Sequence, residues 1–107
     1  MCIRDRTLAA LKPDLIYCSI SAYGQEGPYS DRAGVDGILQ ADSGLMSLIG
    51  TPGSAPCKVQ APVVDVVTGY MACMAILAKL HARQHDGLGG HLAVSYTHLT
   101  LPTNREV

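Results

Sequence analysis

Tryptophan and phenylalanine are absent, and five tyrosines are the whole aromatic complement of the 107 residues. A core built without large rings must draw on Val, Ile, Leu, Met and Ala, which bury less area per residue. A folded chain of this length hides only roughly 60–65% of its unfolded surface. With eleven glycines added, this argues against a self-contained core and implies a piece of a larger domain. Charge is scarce too: eight Lys and Arg stand against nine Asp and Glu, with no basic cluster. Nucleic acid and an anionic membrane surface are therefore not expected as partners. A membrane span needs roughly 20 apolar residues; the best stretch, Val66 to Leu80, follows Asp65 directly and contains Lys79. Cys2, Cys18, Cys57 and Cys73 form no C-x-x-C pair, and no secretory signal precedes them. A reduced, cytoplasmic setting is the expectation. There is no internal repeat, low-complexity segment or linker.

The two ends differ in character from the middle. Read as DNA, "MCIRDR" matches ATG TGT ATA AGA GAC AG, the mosaic end of a transposase-based sequencing adapter. "VSYTHLTLPT" matches its reverse complement, GTC TCT TAT ACA CAT CTG ACG CTG CCG ACG. Inverted copies of one adapter at opposite ends of a reading frame argue against chance. Residues 1–6 and 94–107 are thus expected to be adapter-derived and are set aside in reasoning about the fold. Residues 7–93 are expected to be native, with one reservation at the junction. The reverse adapter begins CT, so only the first base of codon 93 is native, and Ala93 stands for any of Asp, Glu, Gly, Ala or Val.

Within the native span, "TLAALKPD" reads as the last turn of a helix stopped by Pro13. "LIYCSIS", Leu15 to Ser21, reads as a buried strand of a parallel sheet. "AYGQEGPYSDRAG" is a loop, of the kind that carries ligand contacts beyond a strand's carboxyl end. Helical spacing runs from Val35 to Ile49, weakened by Gly44, and "GTPGSAPCKVQAP" is a second loop. The longest helix is expected from about Pro62 to His85, with Pro62 in its first turn and Lys79, His81, Arg83 and His85 at its cation-favouring end. Apolar almost all round from Val66 to Leu80, it should be completely buried in a large protein. "DGLGG" terminates it, and a new strand begins at His91.

"APVVDVVTGYM" places one carboxylate, Asp65, in the first turn of that helix among apolar or small residues. Either it satisfies free N–H groups of the helix terminus, or the same dipole holds it ionised as a nucleophile or base. Thr68, Gly69, Ala72 and Ala75 make one helix face small, which suits a close ligand and tight helix packing equally. Asp36, beside Gly34, starts the preceding helix and could be a cap. His81 and His85 have a metal-compatible spacing but lack the Glu of a metalloprotease motif, so a solvated helix end explains them better. "GLGG" follows a helix where a dinucleotide loop would follow a strand, and "GTPGSAP" lacks the Lys-Ser/Thr of a phosphate loop. Tyr23, Tyr29 and Tyr70 are scattered, as packing residues are.

The stretches "LKPDLIYCSISAYGQEGPYSDRAGVDGILQADSGLMSLIGTP" and "APVVDVVTGYMACMAILAKLHARQHDGLGGHLAVS" resemble the family III CoA-transferases, the formyl-CoA and carnitine-CoA transferase group. The resemblance covers essentially the whole native span. It implies an α/β fold, a fragment of the Rossmann-like parallel-sheet large domain, in a protein several-fold longer that forms an interlocked homodimer. The family continues past the glycines with Val-Asp-Val-Ser, so Val94-Ser95 would agree with it by coincidence. The family's catalytic Asp falls in D-x-x-T-G, here Asp65 with Thr68-Gly69. As implied by the resemblance, Asp65 is the covalent nucleophile, kept poorly hydrated by its apolar flanks. "AGVD" (Ala33, Gly34, Val35 and Asp36) lines the coenzyme A site. Formyl-CoA transferases carry Glu where this chain has Asp36. The implied activity moves coenzyme A from an acyl-CoA to a carboxylic acid acceptor, with the thioester as substrate and no metal or redox cofactor. Two alternatives remain. One is an α-methylacyl-CoA racemase-like isomerase, although such racemases carry a His where this chain has Val35. The other is a non-catalytic CoA-binding α/β module.

Overall fold

The computed structural model describes residues 3–96, with side chains from residue 7 onward. Of the two adapter-like ends, residues 1–2 and 97–107 lie outside the described residues. Helix α1, Ile3–Leu11, ends where Pro13 forbids its continuation. After the turn, strand β1, Ile16–Ser21, runs parallel to the last strand, β2, Gly90–Ser95. Their register sets Ile16 opposite Gly90 and Ser21 opposite Ser95. Val94 and Ser95, in the stretch expected to be adapter-derived, thus complete the strand that begins at Gly90. Between the strands lie helix α2, Asp36–Asp42, a short 3-10 helix, Leu45–Leu48, and the long helix α3, Val63–Asp86. This is a crossover unit of a parallel sheet, as the sequence pattern anticipates.

The helical spacing from Val35 to Ile49 is broken in the middle. Ser43 caps α2, and Gly44 takes the left-handed conformation at φ 77°, its N–H bonding the Ala41 carbonyl at 3.0 Å. That geometry satisfies the end of one helix and prevents its extension. α3 closes in the same manner on Gly87, at φ 69°, whose N–H reaches the Arg83 carbonyl at 2.8 Å. Pro62 lies one position ahead of the expected first turn, as the residue flanking α3.

The core is small: Ala22, Leu39 and Val64 are buried together, with Tyr23, Val63 and Tyr96 packed against them. α3 buries one narrow stripe, Val64, Thr68 and Ala72, at intervals of one turn. Complete burial of α3 is not found, since Tyr70 is 67% and Leu77 59% exposed, and Val66 and Met74 are also exposed. β1 is half-buried for the same reason, with Ile20 exposed: two strands and a seven-residue helix leave most of each apolar face uncovered. By length and composition alone α3, with mean hydropathy 1.7, could cross a membrane. In the fold it is instead the crossover helix, packed on both strands and on α2.

Three hydrogen bonds hold the end of α3 and the start of β2 to the segment that enters β1. The Arg83 guanidinium donates to the Asp14 carbonyl at 2.9 Å. The Gly89 and Gly90 N–H groups donate to the Pro13 and Leu15 carbonyls at 3.1 and 2.9 Å. A side chain at Gly89 would overlap the Leu15 carbonyl, so the backbones meet there only because glycine is present.

Candidate functional site

α2 and the N-terminus of α3 converge on one buried carboxylate. Asp36, in the first turn of α2, is 9% exposed. Its Oδ1 accepts the Val64 N–H at 2.8 Å and the Asp65 N–H at 3.4 Å; its Oδ2 accepts from Gln40 Nε2 at 2.5 Å. A burial that would otherwise be costly is thereby compensated by hydrogen bonds and by the positive end of the α3 dipole. The cap reading of Asp36 therefore needs one amendment: the helix it caps is α3, 28 positions further along the chain.

Gln40 completes the arrangement and was not singled out among the candidate residues. It has no exposed surface. Its Oε1 accepts the Val59 N–H at 2.8 Å, and its Nε2 also reaches the Val59 carbonyl at 3.3 Å. The apolar spacing gave no signal for it: Gln40 lies one turn after Asp36, opposite the face of Val35 and Ile38, and the fold buries the Asp36–Leu39–Gln40 side while Val35 and Ile38 stay exposed.

Asp65 follows at the third position of α3. Its side chain is exposed, so the apolar flanks do not strip it of water in this chain; Val66 and Val67 are exposed themselves. The carboxylate has no capping duty. The N–H groups it would have served are held by Asp36, and Pro62, flanking the helix, has no N–H for a reciprocal bond. The Tyr96 hydroxyl makes a hydrogen bond to Asp65, and burial followed by that bond pushes the phenol above its ordinary value. Tyr96 falls in the C-terminal stretch expected from the sequence to be adapter-derived.

The remaining candidates separate. Ala33 is exposed, as is Val35, which is extended at φ −123° ahead of α2. Gly34 is half-buried, and a Cβ there would stand 2.7 Å from that of Ala22, so its smallness serves packing. The small face of α3 also splits: Thr68 and Ala72 are buried, whereas a Cβ at Gly69 would meet open space. Tyr23 and Tyr29 pack edge to face at 5.8 Å, while Tyr70 points outward. The Tyr23 hydroxyl donates to Asp42 at 2.5 Å, and that bond raises its pKa above the usual phenol value. His81 and His85 meet edge to face at 5.0 Å, and no group of three His, Cys, Asp or Glu suited to a metal forms among the described residues.

Two cavities flank the region. An apolar groove of 390 Å³ runs between the 3-10 helix and the start of α3, lined by Leu45, Leu48, Val59, Val63 and Val67 among others. A more polar one of 490 Å³ opens at the carboxyl ends of both strands, beside Ser21, Gln25, His91 and Ser95. Asp65 lines neither.

The model of the family described as CoA-transferase family III matches residues 1–105. The chain belongs to CoA-transferase family III. The match spans both adapter-like ends as well as the middle. A succinate–glutarate CoA-transferase of Agrobacterium fabrum is 45% identical over 86 residues, 80% of this chain and 22% of the relative. A succinyl-CoA:glutarate CoA-transferase of Mus musculus is 44% identical over 79 residues, 74% of this chain and 18% of the relative. The crystal structure of a CAIB/BAIF family protein from Brucella suis superposes with a TM-score of 0.81 at 38% identity, covering 85% of this chain and 24% of that one. The chain thus spans about a fifth of these curated family III relatives. Its parallel α/β unit is the corresponding part of the family fold.

Proposed function

We propose that the whole protein is an acyl-CoA:carboxylate CoA-transferase and that Asp65 is its nucleophile. The observation that carries this is the division of labour at the N-terminus of α3. Asp36 satisfies the helix N–H groups, leaving Asp65, one residue along, with a carboxylate that capping does not need.

An ionised Asp65 attacks the thioester carbonyl of an acyl-CoA. The C–S bond breaks, giving an aspartyl–acyl anhydride and the CoA thiolate. The thiolate attacks the aspartyl carbonyl, releasing the first acid as its carboxylate and leaving aspartyl-CoA thioester. The acceptor carboxylate then attacks that thioester, forming a second anhydride and freeing the thiolate again. Attack of the thiolate on the new acyl carbonyl gives the product thioester and restores Asp65. Splitting one exchange into such steps is the advantage of covalent catalysis. No carbon or sulfur changes oxidation state at any step, so the cycle as written needs no redox cofactor.

The relatives' names support a carboxylic acid acceptor, with coenzyme A carried as substrate. An interlocked homodimer, a cytoplasmic location and adapter-derived residues at 1–6 and 94–107 belong to the same reading. The side chain of Val35 carries no exchangeable proton, which supports transfer over racemisation. The 107-residue chain alone should not turn over, since the segments that would exclude water from Asp65 are not within it.

The test uses the full-length protein, obtained from an adapter-free gene. Incubated with acyl-CoA and quenched, it should carry CoA on the peptide containing Asp65, and hydroxylamine should convert that residue to a hydroxamate. An unmodified Asp65 peptide under turnover conditions refutes the assignment.

A further inference from the structure

Asp36 and Gln40 stand one turn apart on α2, both buried and bonded to each other at 2.5 Å. The hydrogen-bond pattern orients the amide unambiguously: Oε1 must face the Val59 N–H, which turns Nε2 toward the carboxylate. Gln40 thereby ties the segment leading into α3, through Val59, to the same helix that holds the first N–H groups of α3 through Asp36. Asp65 is fixed by its own backbone N–H on Asp36 Oδ1.

We propose that the Asp36–Gln40 pair is the positioning device of Asp65, and that Asp36 acts on the helix terminus rather than on coenzyme A. This rests on the reading of Asp65 as nucleophile. The carboxylate of Asp36 offers about four lone-pair directions, and three are taken by Val64, Asp65 and Gln40. Little of it remains to meet a ligand from outside. Loss of the pair would free the first turn of α3 to shift, and with it the nucleophile. Displacement of a reacting group by about 1 Å can reduce turnover about 100-fold without touching the chemistry itself.

The experiment compares Asp36→Ala, Asp36→Asn and Gln40→Met in the full-length protein, by steady-state kinetics and by the rate of adduct formation in a quenched single turnover. Asp36→Ala should lower kcat about 100-fold and Gln40→Met about 10-fold, each with KM for acyl-CoA within about twofold of the parent. Asp36→Asn keeps an acceptor oxygen for the α3 N–H groups and should recover part of the rate lost in Asp36→Ala. A raised KM with kcat retained would make Asp36 a ligand contact and overturn the proposal. Unchanged kinetics in Gln40→Met and Asp36→Asn would overturn it too, and these two decide if Asp36→Ala does not fold. Asp65→Asn separates the two readings. If that variant is inactive while the α2 variants behave as the parent, positioning alone fails; if it stays active, the nucleophile assignment fails.

Discussion

Replacing Gly89 by alanine tests the close approach that joins β2 to the start of β1. The added Cβ would lie 2.5 Å from the Asp14 carbonyl carbon and 2.6 Å from that of Leu15, and would overlap the Leu15 oxygen. All of these are backbone atoms, so no side chain can swing aside. Relief requires the strands to separate, which breaks the bonds from Gly89 to Pro13 and from Gly90 to Leu15. Each lost bond costs about 1 kcal/mol net, or roughly 1–3 kcal/mol where a group stays buried and unpaired. The expected loss is therefore about 2–4 kcal/mol. Gly87→Ala is the internal comparison. It has open space around its Cβ but needs φ 69°, so its loss should be about 1 kcal/mol, from conformation alone. Native-state hydrogen exchange of peptides spanning β1 and β2 in the full-length protein reads both. A Gly89→Ala effect no larger than that of Gly87→Ala would refute the close-approach argument.

Asp65→Asn should reduce CoA transfer at least about 1,000-fold while leaving the thermal melt of the full-length protein within error, since the side chain makes no cap. Ala72→Leu should destabilise by about 1–3 kcal/mol in denaturant titration, because Ala72 is buried on the stripe that faces the fold. Tyr23 is more weakly acidic folded than unfolded. Its bond to Asp42 therefore contributes stability below about pH 10 and loses it as pH rises through the raised value. Tyr23→Phe should flatten the alkaline limb of a stability–pH curve, and an unchanged limb would remove the bond from the account. The isolated 107-residue chain should show no turnover with acyl-CoA and a carboxylic acid; measurable exchange would contradict the dependence on covering segments.

The order of elements was legible because its signals are local. Pro13 stops α1, Gly87 closes α3, and the β-rich run ending at Ser21 declares a strand. Gly44 was visible as a weakness, but only the structure shows that its left-handed turn divides one expected helix into α2 and the 3-10 segment. Burial was over-read. An all-apolar helix indicates what the complete fold covers, and the two strands among the described residues leave only the Val64–Thr68–Ala72 stripe buried. At the site, Asp65 stood out as a charge among apolar residues. Gln40 did not, because its role depends on Val59, 19 positions away, and pattern along the chain carries no record of that pairing.

The cap of α3 is borrowed from a distant turn of the chain. A helix whose end is completed locally can order as soon as it is made, whereas this one must wait for α2 to dock before its first turn is secure. The first turn of α3, which carries Asp65, is therefore among the later features to assemble. During synthesis or partial unfolding, any arrangement that depends on that turn is lost together with the docking of α2.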